Sequence, residues 1–376
     1  MSYLAILGRQ PELSLAELES VLGAEAVQPI GKFALLKTAP DLAKLGGTIK
    51  LARVIAESKE FDEGLVSESL AQLPHSDAKI TLGLSYYGRR GDPLRLGMQV
   101  KKALRKNGRS VRLVLPKPGQ RELTAAQLKF NSLATTDSPE LIILEQSGRS
   151  IVALTEQYQD IDAYSARDFT RPGRDAKVGM LPPKLAQIVV NLAGIPLGTV
   201  LDPFCGSGVI LQEARLMGFD VLGSDSAPAM VKATNANMAW LDSKRAGLGR
   251  WQVEAGDART IKIAASVAAI VTEGYLGPAF SHQPSSTALA EADQEVSRLI
   301  RSFLKNLNTQ VKPGFIVVLC LPAWQDRGQT HLPEVIDEIS RLGYTLRQFA
   351  HTDARELTYL RSGQMVGRKI LVMRRM

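Results

Sequence analysis

Two acidic residues follow strand-like segments on either side of a glycine turn in the middle of the sequence. Thr199–Leu201 is predicted to be a short buried strand that ends at Asp202, and Asp225 ends the next predicted strand. Between them, Gly206 and Gly208 make a turn whose backbone can approach a ligand closely. A strand, a glycine turn, a helix and a second strand ending in an acid form the unit with which open α/β sheets bind a nucleoside cofactor. We therefore predict a cofactor site in which Asp225 accepts hydrogen bonds from ribose hydroxyls.

The chemistry of the turn argues against phosphate ligands. No Gly-Lys-Ser or Gly-Lys-Thr follows it, as a P-loop would require, and the three-glycine spacing of dinucleotide-binding turns is absent. Asp202 would also place a negative charge where a pyrophosphate would lie. Because a carboxylate at this position suits a cation, we predict a positively charged ligand without phosphate groups.

The seven residues Asp202–Gly208 (DPFCGSG) closely resemble the first cofactor motif of S-adenosylmethionine-dependent amino-methyltransferases, which modify exocyclic amines of bases. The resemblance implies S-adenosylmethionine as the cofactor. The cofactor-binding residues that it implies are Asp202, Phe204, Gly206, Gly208, Asp225 and Asp257. In that arrangement Asp202 and the turn surround the methionine part, and Asp257 accepts a hydrogen bond from the adenine amine.

The end of a fourth predicted strand departs from the usual motif of these enzymes. Residues 268–271 supply the strand, but Thr272–Pro278 (TEGYLGP) stands where the family has Asp, Asn or Ser followed by two prolines and an aromatic residue. Methyl transfer to an amine needs an acceptor for the amine protons, so that the nitrogen lone pair can turn toward the methyl group, and a ring that stacks the base. We predict that Glu273 is the acceptor and Tyr275 the ring, one residue short and without the rigid double proline.

Further segments of the C-terminal half resemble tRNA guanine-N2 methyltransferases of the archaeal and eukaryotic type. These segments are Arg167–Phe169, Arg171–Arg174, Met180–Ala186, Gly223–Asp225, Asn235–Met238, Gly256–Arg259 and Leu357–Gln364. The family pairs an RNA-binding THUMP domain with a Rossmann-like catalytic domain. The resemblance implies an S-adenosylmethionine-dependent RNA methyltransferase that acts on an exocyclic base amine, with guanine N2 of tRNA as the expected target.

The elements that must position these residues follow the pattern of an α/β sheet. Ile210, Ala214 and Met217 at positions i, i+4 and i+7 predict one buried helix face, which ends at Gly218. Phe219–Gly223 predicts the strand that leads to the second acid. We predict that residues 166–376 form a Rossmann-like methyltransferase domain.

Residues 1–165 are predicted to form an α+β domain. A strand over Ile80–Tyr86, a basic helix with one buried face and a strand over Val111–Leu115 follow one another, and residues 141–154 are typical of a hairpin. This order resembles the layout of a THUMP domain and implies RNA binding. Near the N-terminus, Ser14 and Glu17 predict a helix that begins with a capping box.

A basic stripe lies in this N-terminal half. Between Arg89 and Lys129 the sequence has twelve Lys and Arg residues against two acids, Asp92 and Glu122. Such a stripe is typical of a surface that binds a polyanion, and the resemblance described above implies that this partner is tRNA. Because only 6% of the residues are aromatic, we expect phosphate contacts rather than base stacking to dominate.

Composition sets the remaining limits. A chain of 376 residues can form two domains, and 45% hydrophobic with 22% charged residues is typical of a globular protein. The sequence shows no apolar stretch of membrane-spanning length and no secretion signal at its start. Cys205 and Cys320 build neither a disulfide framework nor a zinc site, so we predict no metal and a cytoplasmic location.

Two alternatives remain open at this stage. The catalytic half alone is compatible with a DNA amino-methyltransferase that acts on adenine or cytosine. The departure at Thr272–Tyr275 is compatible with an RNA-binding protein that keeps the cofactor fold without the chemistry. The predicted THUMP-like layout favours RNA over DNA, whereas the modified nucleotide, the number of methyl groups and the oligomeric state are not encoded in any motif that we recognise.

Overall fold

A computed structural model of the protein describes residues 2–59, 63–73, 79–88, 92–146, 148–173, 180–280 and 282–376. Nine α-helices, seventeen strands and four short 3-10 helices lie in these ranges. The helices are α1 (Pro11–Leu22), α2 (Glu63–Leu70), α3 (Pro93–Lys106), α4 (Ala125–Phe130), α5 (Ile161–Phe169), α6 (Pro183–Leu192), α7 (Val209–Leu216), α8 (Pro228–Lys244) and α9 (Ser286–Asn308). The strands are β1 (Tyr3–Leu7), β2 (Val27–Ile30), β3 (Phe33–Leu36), β4 (Thr48–Ser58), β5 (Ile80–Tyr87), β6 (Val111–Val114), β7 (Glu140–Gln146), β8 (Arg149–Tyr158), β9 (Thr199–Asp202), β10 (Asp220–Asp225), β11 (Trp251–Ala255), β12 (Val267–Glu273), β13 (Ile316–Asp326), β14 (Gln329–His331), β15 (Tyr344–Leu346), β16 (Thr358–Tyr359) and β17 (Val366–Arg375).

The chain divides into two compact units. The first contains residues up to 11, 25–43 and 48–162, and the second contains residues 12–24, 44–47 and 163–376. The predicted domains run over 1–165 and 166–376, whereas the contacts group helix α1 with the C-terminal unit. None of the helices in the described part of the chain is long and apolar enough to cross a membrane.

The first unit is built on an eight-stranded sheet in the order β2-β3-β1-β4-β8-β7-β5-β6. Strand β5 runs parallel to both β6 and β7, and α3 forms the connection from β5 to β6. The predicted strand, basic helix and strand are therefore confirmed as elements. The predicted hairpin is confirmed too, since β7 and β8 pair antiparallel with Leu141 opposite Leu154.

A buried polar cluster joins four strands of this sheet. Glu140 on β7 accepts hydrogen bonds from Ser85 on β5 and Thr155 on β8, each at 2.5 Å. Lys50 on β4 forms an ion pair with the same carboxylate at 2.5 Å, and both side chains are almost fully buried. Because a buried charge is costly without such partners, the cluster fixes the register of these four strands.

The capping box predicted at Ser14 and Glu17 is wrong. Helix α1 begins at Pro11, so both residues lie inside it. The carboxylate of Glu17 accepts hydrogen bonds from the backbone N–H groups of Gly46 at 2.9 Å and Gly47 at 2.8 Å, and the Ser14 hydroxyl donates to the Gly47 carbonyl at 2.8 Å. The two side chains therefore tie α1 to a segment about thirty residues away instead of capping the helix.

The second unit has a nine-stranded sheet whose main path is β11-β10-β9-β12-β13-β17-β15. Strands β9 to β13 pair in parallel, and β17 pairs antiparallel with β13 and β15. The chain order reverses at β9, whose neighbours are β10 and β12. Open α/β sheets bind ligands at the carboxyl ends of strands at such a switch point. The predicted Rossmann-like α/β architecture is confirmed for this unit.

Helices cover both faces of this sheet. On one face, Val200 and Ala269 belong to a buried apolar cluster with residues of α6 and α7. On the other face, Leu201 and Ile270 pack in a cluster with residues of α9. The central strands are apolar on both sides because neither face meets water, as is usual for parallel sheets.

Strands β13 and β17 extend past the carboxyl end of β12. The register of β12 with β13 ends at the pair Glu273 and Cys320, whereas β13 continues to Asp326 with β17 beside it. Pro322 lies in this extension. A proline is tolerated there because β12 no longer supplies a partner for its missing N–H. The extension places Arg368, which is opposite Pro322 on β17, near the end of β12.

Candidate active site

Three acidic side chains end neighbouring strands at the switch point. Asp202 is the last residue of β9, Asp225 of β10 and Glu273 of β12. Asp257 follows the end of β11 by two residues. The sheet therefore brings the four predicted acids to one edge, as parallel strand order requires.

Asp202 is the most buried of these acids, with 2% of its surface exposed. Its Oδ1 accepts hydrogen bonds from the Thr272 hydroxyl at 2.6 Å and from the Phe204 backbone N–H at 3.1 Å. The pKa of Asp202 is raised to about 8, mainly by burial and to a smaller extent by the neighbouring carboxylates of Asp225 and Glu273, while the two hydrogen bonds oppose the rise. No cationic side chain among the described residues is bonded to this carboxyl, and a bound cation would stabilise its ionised form.

The glycine turn has the shape that its residues require. Gly208 has φ of 80°, and a Cβ there would lie 2.6 Å from Cγ2 of Thr234. Gly206 has φ of 51°, in the left-handed region. Helix α8 stabilises the turn through two hydrogen bonds. The Thr234 hydroxyl donates to the Gly206 carbonyl at 2.6 Å, and the Asn237 amide donates to the Ser207 carbonyl at 2.8 Å.

Asp225 is held by backbone donors on both oxygens. Its Oδ2 accepts from Gly206 N–H and its Oδ1 from Ala227 N–H, each at 2.9 Å. An ionised carboxylate has about four acceptor positions, so two are left for other donors. The glycine turn therefore orients the Asp225 carboxylate through the Gly206 N–H. The carboxylate can still accept hydrogen bonds from two hydroxyl groups.

Phe204 and Cys205 fill space around the turn. The ring of Phe204 packs edge-to-face on Phe303 of α9, with centroids 5.3 Å apart. Burial, together with the nearby charges of Asp202 and Asp225, raises the pKa of the Cys205 thiol well above its ordinary value, so the thiol stays protonated. A protonated, buried thiol supports a packing role for Cys205. The ring of Phe204 lies beside the predicted cofactor turn, packed against Phe303.

Asp257 is engaged by a neighbour in sequence. Arg259 donates to it through its backbone N–H and its guanidinium, with a shortest contact of 2.6 Å, and lowers the pKa of Asp257. Both side chains are partly exposed. The predicted hydrogen bond to an adenine amine stays a prediction, and it would have to use acceptor positions that Arg259 leaves.

Glu273 forms an ion pair that the sequence did not reveal. Its Oε1 accepts from Nε of Arg368 at 2.8 Å; the arginine side chain is 3% exposed and the glutamate side chain 22%. Burial raises the pKa of Glu273 and the charge of Arg368 opposes that rise. Among the residues that the structure describes, Arg368 is the only side chain bonded to this carboxylate.

Tyr275 is partly buried beside the apolar cluster under α9. Burial and the nearby charge of Glu295 on α9 raise the pKa of its hydroxyl. Part of the Tyr275 ring therefore packs against this cluster. The predicted role of Tyr275 in stacking the base stays a prediction.

Sequence reasoning missed four residues of this site: Thr234, Asn237, Thr272 as a partner of Asp202, and Arg368. For Arg368 a signal was present in the sequence, because Arg368 and Lys369 stand directly before the apolar run Ile370–Met373; in the structure the two are 3% and 4% exposed. Two consecutive charges in such a strand indicate buried partners. For the other three, no local pattern indicates a contact that joins distant elements.

The arrangement can hold a cationic nucleoside-like molecule and accept protons from an amine. No group of three or more metal-ligating side chains that could hold an ion is found within the described ranges. The three acidic side chains at one sheet edge instead favour the binding of a positively charged ligand.

Comparison with known proteins agrees with this chemistry. Residues 171–321 match the family model described as "UPF0020: RMKL-like, methyltransferase domain". A relative named tRNA (guanine(10)-N2)-dimethyltransferase, from Methanothermobacter thermautotrophicus, is 34% identical over 161 residues, which cover 43% of this chain and 42% of the relative. A protein of the same name from Pyrococcus abyssi is 32% identical over 152 residues, 40% of this chain and 41% of that protein. The predicted resemblance to a methyltransferase domain is confirmed over residues 171–321, whereas the predicted bounds of that domain, 166–376, stay a prediction.

The chain spans about two fifths of the length of these curated relatives. Over its whole length it is similar to the crystal structure of TrmN from Thermus thermophilus, with a TM-score of 0.53 at 18% identity and complete coverage of both chains. That likeness bears on the fold, and it supports the predicted fold class. The THUMP-like character of the first unit stays a prediction.

Proposed function

We propose that the protein is an S-adenosylmethionine-dependent RNA methyltransferase that acts on guanine N2 in tRNA. The observation that carries the proposal is the convergence of Asp202, Asp225 and Glu273 at the switch point of a methyltransferase domain. The names of the relatives point to guanine 10 as the position and to dimethylation as the outcome. With tRNA as substrate, the cytoplasm is the expected compartment.

S-adenosylmethionine, a phosphate-free sulfonium with an ammonium group, fits the acidic residues of this site. When bound, it supplies a methyl group activated by the positive sulfur. Asp202 and the turn at Gly206–Gly208 would lie by its positive groups, Phe204 beside them, and Asp225 would accept the ribose hydroxyls. The fit rests on the buried Asp202, to which no cationic side chain of the described residues is bonded and whose ionised form a cationic ligand would stabilise.

Glu273 is the residue proposed to act on the base. An exocyclic amine conjugated with a guanine ring has little free lone pair, so a positioned acceptor for its N–H is needed while the new bond forms. Glu273 ends β12 next to Asp202, and its side chain is 22% exposed, so a base can reach it. Tyr275 would stack the base, which must leave its own stack to enter.

The first unit is proposed to bind tRNA through α3. Lys101, Lys102, Arg105 and Lys106 lie on this helix, and no acid of the described residues pairs with any of the four. Unpaired cations are free to contact phosphates, which position an RNA without reading its sequence. Arg89 and Arg90, at the start of the predicted stripe, lie outside the described residues.

One observation favours a second candidate. The buried ion pair of Glu273 with Arg368 replaces the usual motif, and a purely structural pair would leave a tRNA-binding protein without chemistry. A DNA amino-methyltransferase has no comparable observation in its favour.

Mass spectrometry of tRNA nucleosides separates these functions. Purified protein, S-adenosylmethionine and tRNA from a strain that lacks the gene should yield N2-methylguanosine or N2,N2-dimethylguanosine. Tight binding of cofactor and tRNA without any methylated product would refute the enzyme and support the binding protein. Product on duplex DNA instead of tRNA would support the DNA enzyme.

A further inference from the structure

We infer that Arg368 is a positioning residue for Glu273: it holds Oε1 and thereby leaves Oε2 as the atom that accepts the N–H of the substrate amine. The inference rests on the proposed function and extends it to a residue on a different strand. It explains how a glutamate can work where related enzymes carry Asp or Asn before two prolines.

The position of Arg368 follows from the sheet. Glu273 is opposite Cys320 on β13, and Arg368 is opposite Pro322 two residues further along the same strand. The guanidinium therefore reaches across β13 at the point where β12 has ended. Its side chain is 3% exposed and also donates to the Val366 carbonyl at 3.3 Å, so its direction is fixed by burial and by the backbone.

The contact with Glu273 is made through one atom of each partner, Nε and Oε1, at 2.8 Å. A guanidinium only donates hydrogen bonds, so the atom facing it must be an acceptor. The glutamate is 22% exposed, which leaves part of its carboxylate within reach of a ligand. The charged and titratable groups facing Glu273 from neighbouring strands are Arg368 on β17, Asp202 on β9 and Cys320 on β13.

This polarity has a consequence for the amide variant. In Glu273→Gln the single oxygen would turn to Arg368, because the amide NH₂ cannot face a second donor there. The NH₂ group would then face the substrate amine, donor against donor. An amide in a site without such a cation is free to turn its oxygen to the base, as the Asn of related motifs does.

The test is a set of variants in which the amide of Glu273→Gln either faces Arg368 or is freed from it. Glu273→Gln should lower the methyl-transfer rate by roughly 10²–10⁴, as expected when a positioned acceptor is removed. Glu273→Gln with Arg368→Met removes the cation that locks the amide, so it should recover at least about tenfold over the single variant, whereas Glu273→Gln with Arg368→Lys should not. Arg301→Met, which breaks a partly buried pair with Glu338 outside the site, is the matched control and should leave the rate unchanged.

Two outcomes would overturn the inference. One is a Glu273→Gln variant with nearly wild-type rate. The other is a double variant that is no faster than Glu273→Gln although it is folded and binds S-adenosylmethionine with unchanged affinity. Circular dichroism and calorimetry on every variant keep loss of folding apart from loss of rate.

A second measurement does not depend on turnover. Carbon-13 NMR of protein labelled at glutamate Cδ, with Glu273→Gln to assign the signal, reports the ionisation of Glu273 directly. Because the cation favours the ionised acid, Arg368→Met should raise the pKa of Glu273, and Arg368→Lys should keep it near the wild-type value. An unchanged titration in Arg368→Met would show that the pair does not hold the charge. If wild-type protein methylates nothing, the proposed function fails and this titration alone decides the role of the pair.

Discussion

Asp225 has two backbone contacts in the protein itself and two acceptor positions left. In Asp225→Ala the ribose hydroxyls lose a charged acceptor, and each such bond is worth roughly 1.5–3 kcal/mol. We expect the Kd for S-adenosylmethionine to rise by at least tenfold, measured by calorimetry. Asp225→Asn is the matched control, because it keeps one acceptor and should lose less affinity. Unchanged affinity in a folded Asp225→Ala protein would remove this residue from the cofactor site.

Asp202 should couple cofactor binding to a proton. With a pKa of about 8 in the free protein, its carboxyl is mostly protonated at pH 7, whereas a bound cation favours the ionised form. Binding therefore releases a proton, and affinity rises as the pH approaches 8 from below. Calorimetry at pH 7 in buffers of different ionisation enthalpy measures the number of protons released.

Asp202→Asn should abolish that release, since an amide does not titrate, while retaining an oxygen for the Thr272 hydroxyl. Asp225→Asn should leave the release in place. A wild-type protein whose binding enthalpy is independent of the buffer would show that Asp202 is already ionised before the cofactor binds.

Glu273→Ala should separate chemistry from binding. The acceptor is removed, so methyl transfer should fall by about 10²–10⁴ while the affinities for cofactor and tRNA stay within twofold of wild type. Removing the acid also takes the carboxylate away from the buried Arg368, which is costly. The variant Glu273→Ala with Arg368→Met removes that cation and serves as the stability control. A normal rate in Glu273→Ala would exclude Glu273 from catalysis.

At this scale the sequence predicts which residue types meet at the site, but not all of their partners. Asp202 and Asp225 could be placed because each follows a strand around a glycine turn. The partner of Glu273 is 95 positions away on another strand, and no local pattern encodes that distance. The engagement of Asp257 by Arg259 is local, yet it depends on side-chain directions that residue order does not give.

Helix α1 provides a prediction about an element. Burial raises the pKa of Glu17 to about 7, although Gly46, Gly47 and Asn191 donate to it. Because the folded pKa is above the ordinary value, this group binds more protons in the folded state, and its contribution to stability falls as the pH rises from about 4.5 to about 7. Glu17→Gln should lose that slope, so its free energy of unfolding relative to wild type should increase by on the order of 3 kcal/mol between pH 4.5 and pH 8.

Urea unfolding at the two pH values measures the difference. Glu12→Gln, on the first turn of the same helix, is the matched control and should keep the wild-type slope. Parallel slopes for Glu17→Gln and wild type would show that the carboxyl titrates at its ordinary pKa despite its burial.

Elements with strong periodicity were predictable. Ile210, Ala214 and Met217 predicted the buried face of α7, and all three are buried. The start of α1 was not, because Ser14 and Glu17 have the spacing of a capping box while their partners lie in the 46–47 segment. In the folded protein these two polar side chains bind the 46–47 segment, whereas their local spacing predicts that they cap the helix.

For the whole molecule, we expect substitutions on the basic helix α3 to change tRNA binding without changing the methyl-transfer rate or cofactor binding. Neutralising Lys101, Lys102, Arg105 and Lys106 should lower tRNA affinity and reduce the slope of log affinity against log salt by about 0.7–0.9 for each phosphate that the variant no longer neutralises. The KM for tRNA should rise, while the rate at saturating tRNA and the affinity for S-adenosylmethionine stay unchanged. Filter binding over a salt series and steady-state kinetics measure these quantities.

The control exchanges exposed lysines on another part of the first unit. Lys32→Gln with Lys37→Gln lowers the charge near the β2–β3 hairpin and should change the salt slope far less than two substitutions on α3. An α3 variant that binds tRNA as tightly as wild type with the same salt dependence would show that this helix face is only solvated.

The sheet order of the second unit has a consequence for the time course of synthesis. Strand β15 precedes β17 in the chain, yet it pairs with β17 and not with β13. Until residues 366–375 leave the ribosome, the long edge of β13 has no neighbour on that side and β15 has no place in the sheet. An unpaired strand edge of eleven residues presents backbone N–H and C=O groups with which other chains can pair, so association between nascent chains is favoured during this interval. The same late strand brings Arg368, so the acid at the end of β12 gains its partner only when β17 joins the sheet.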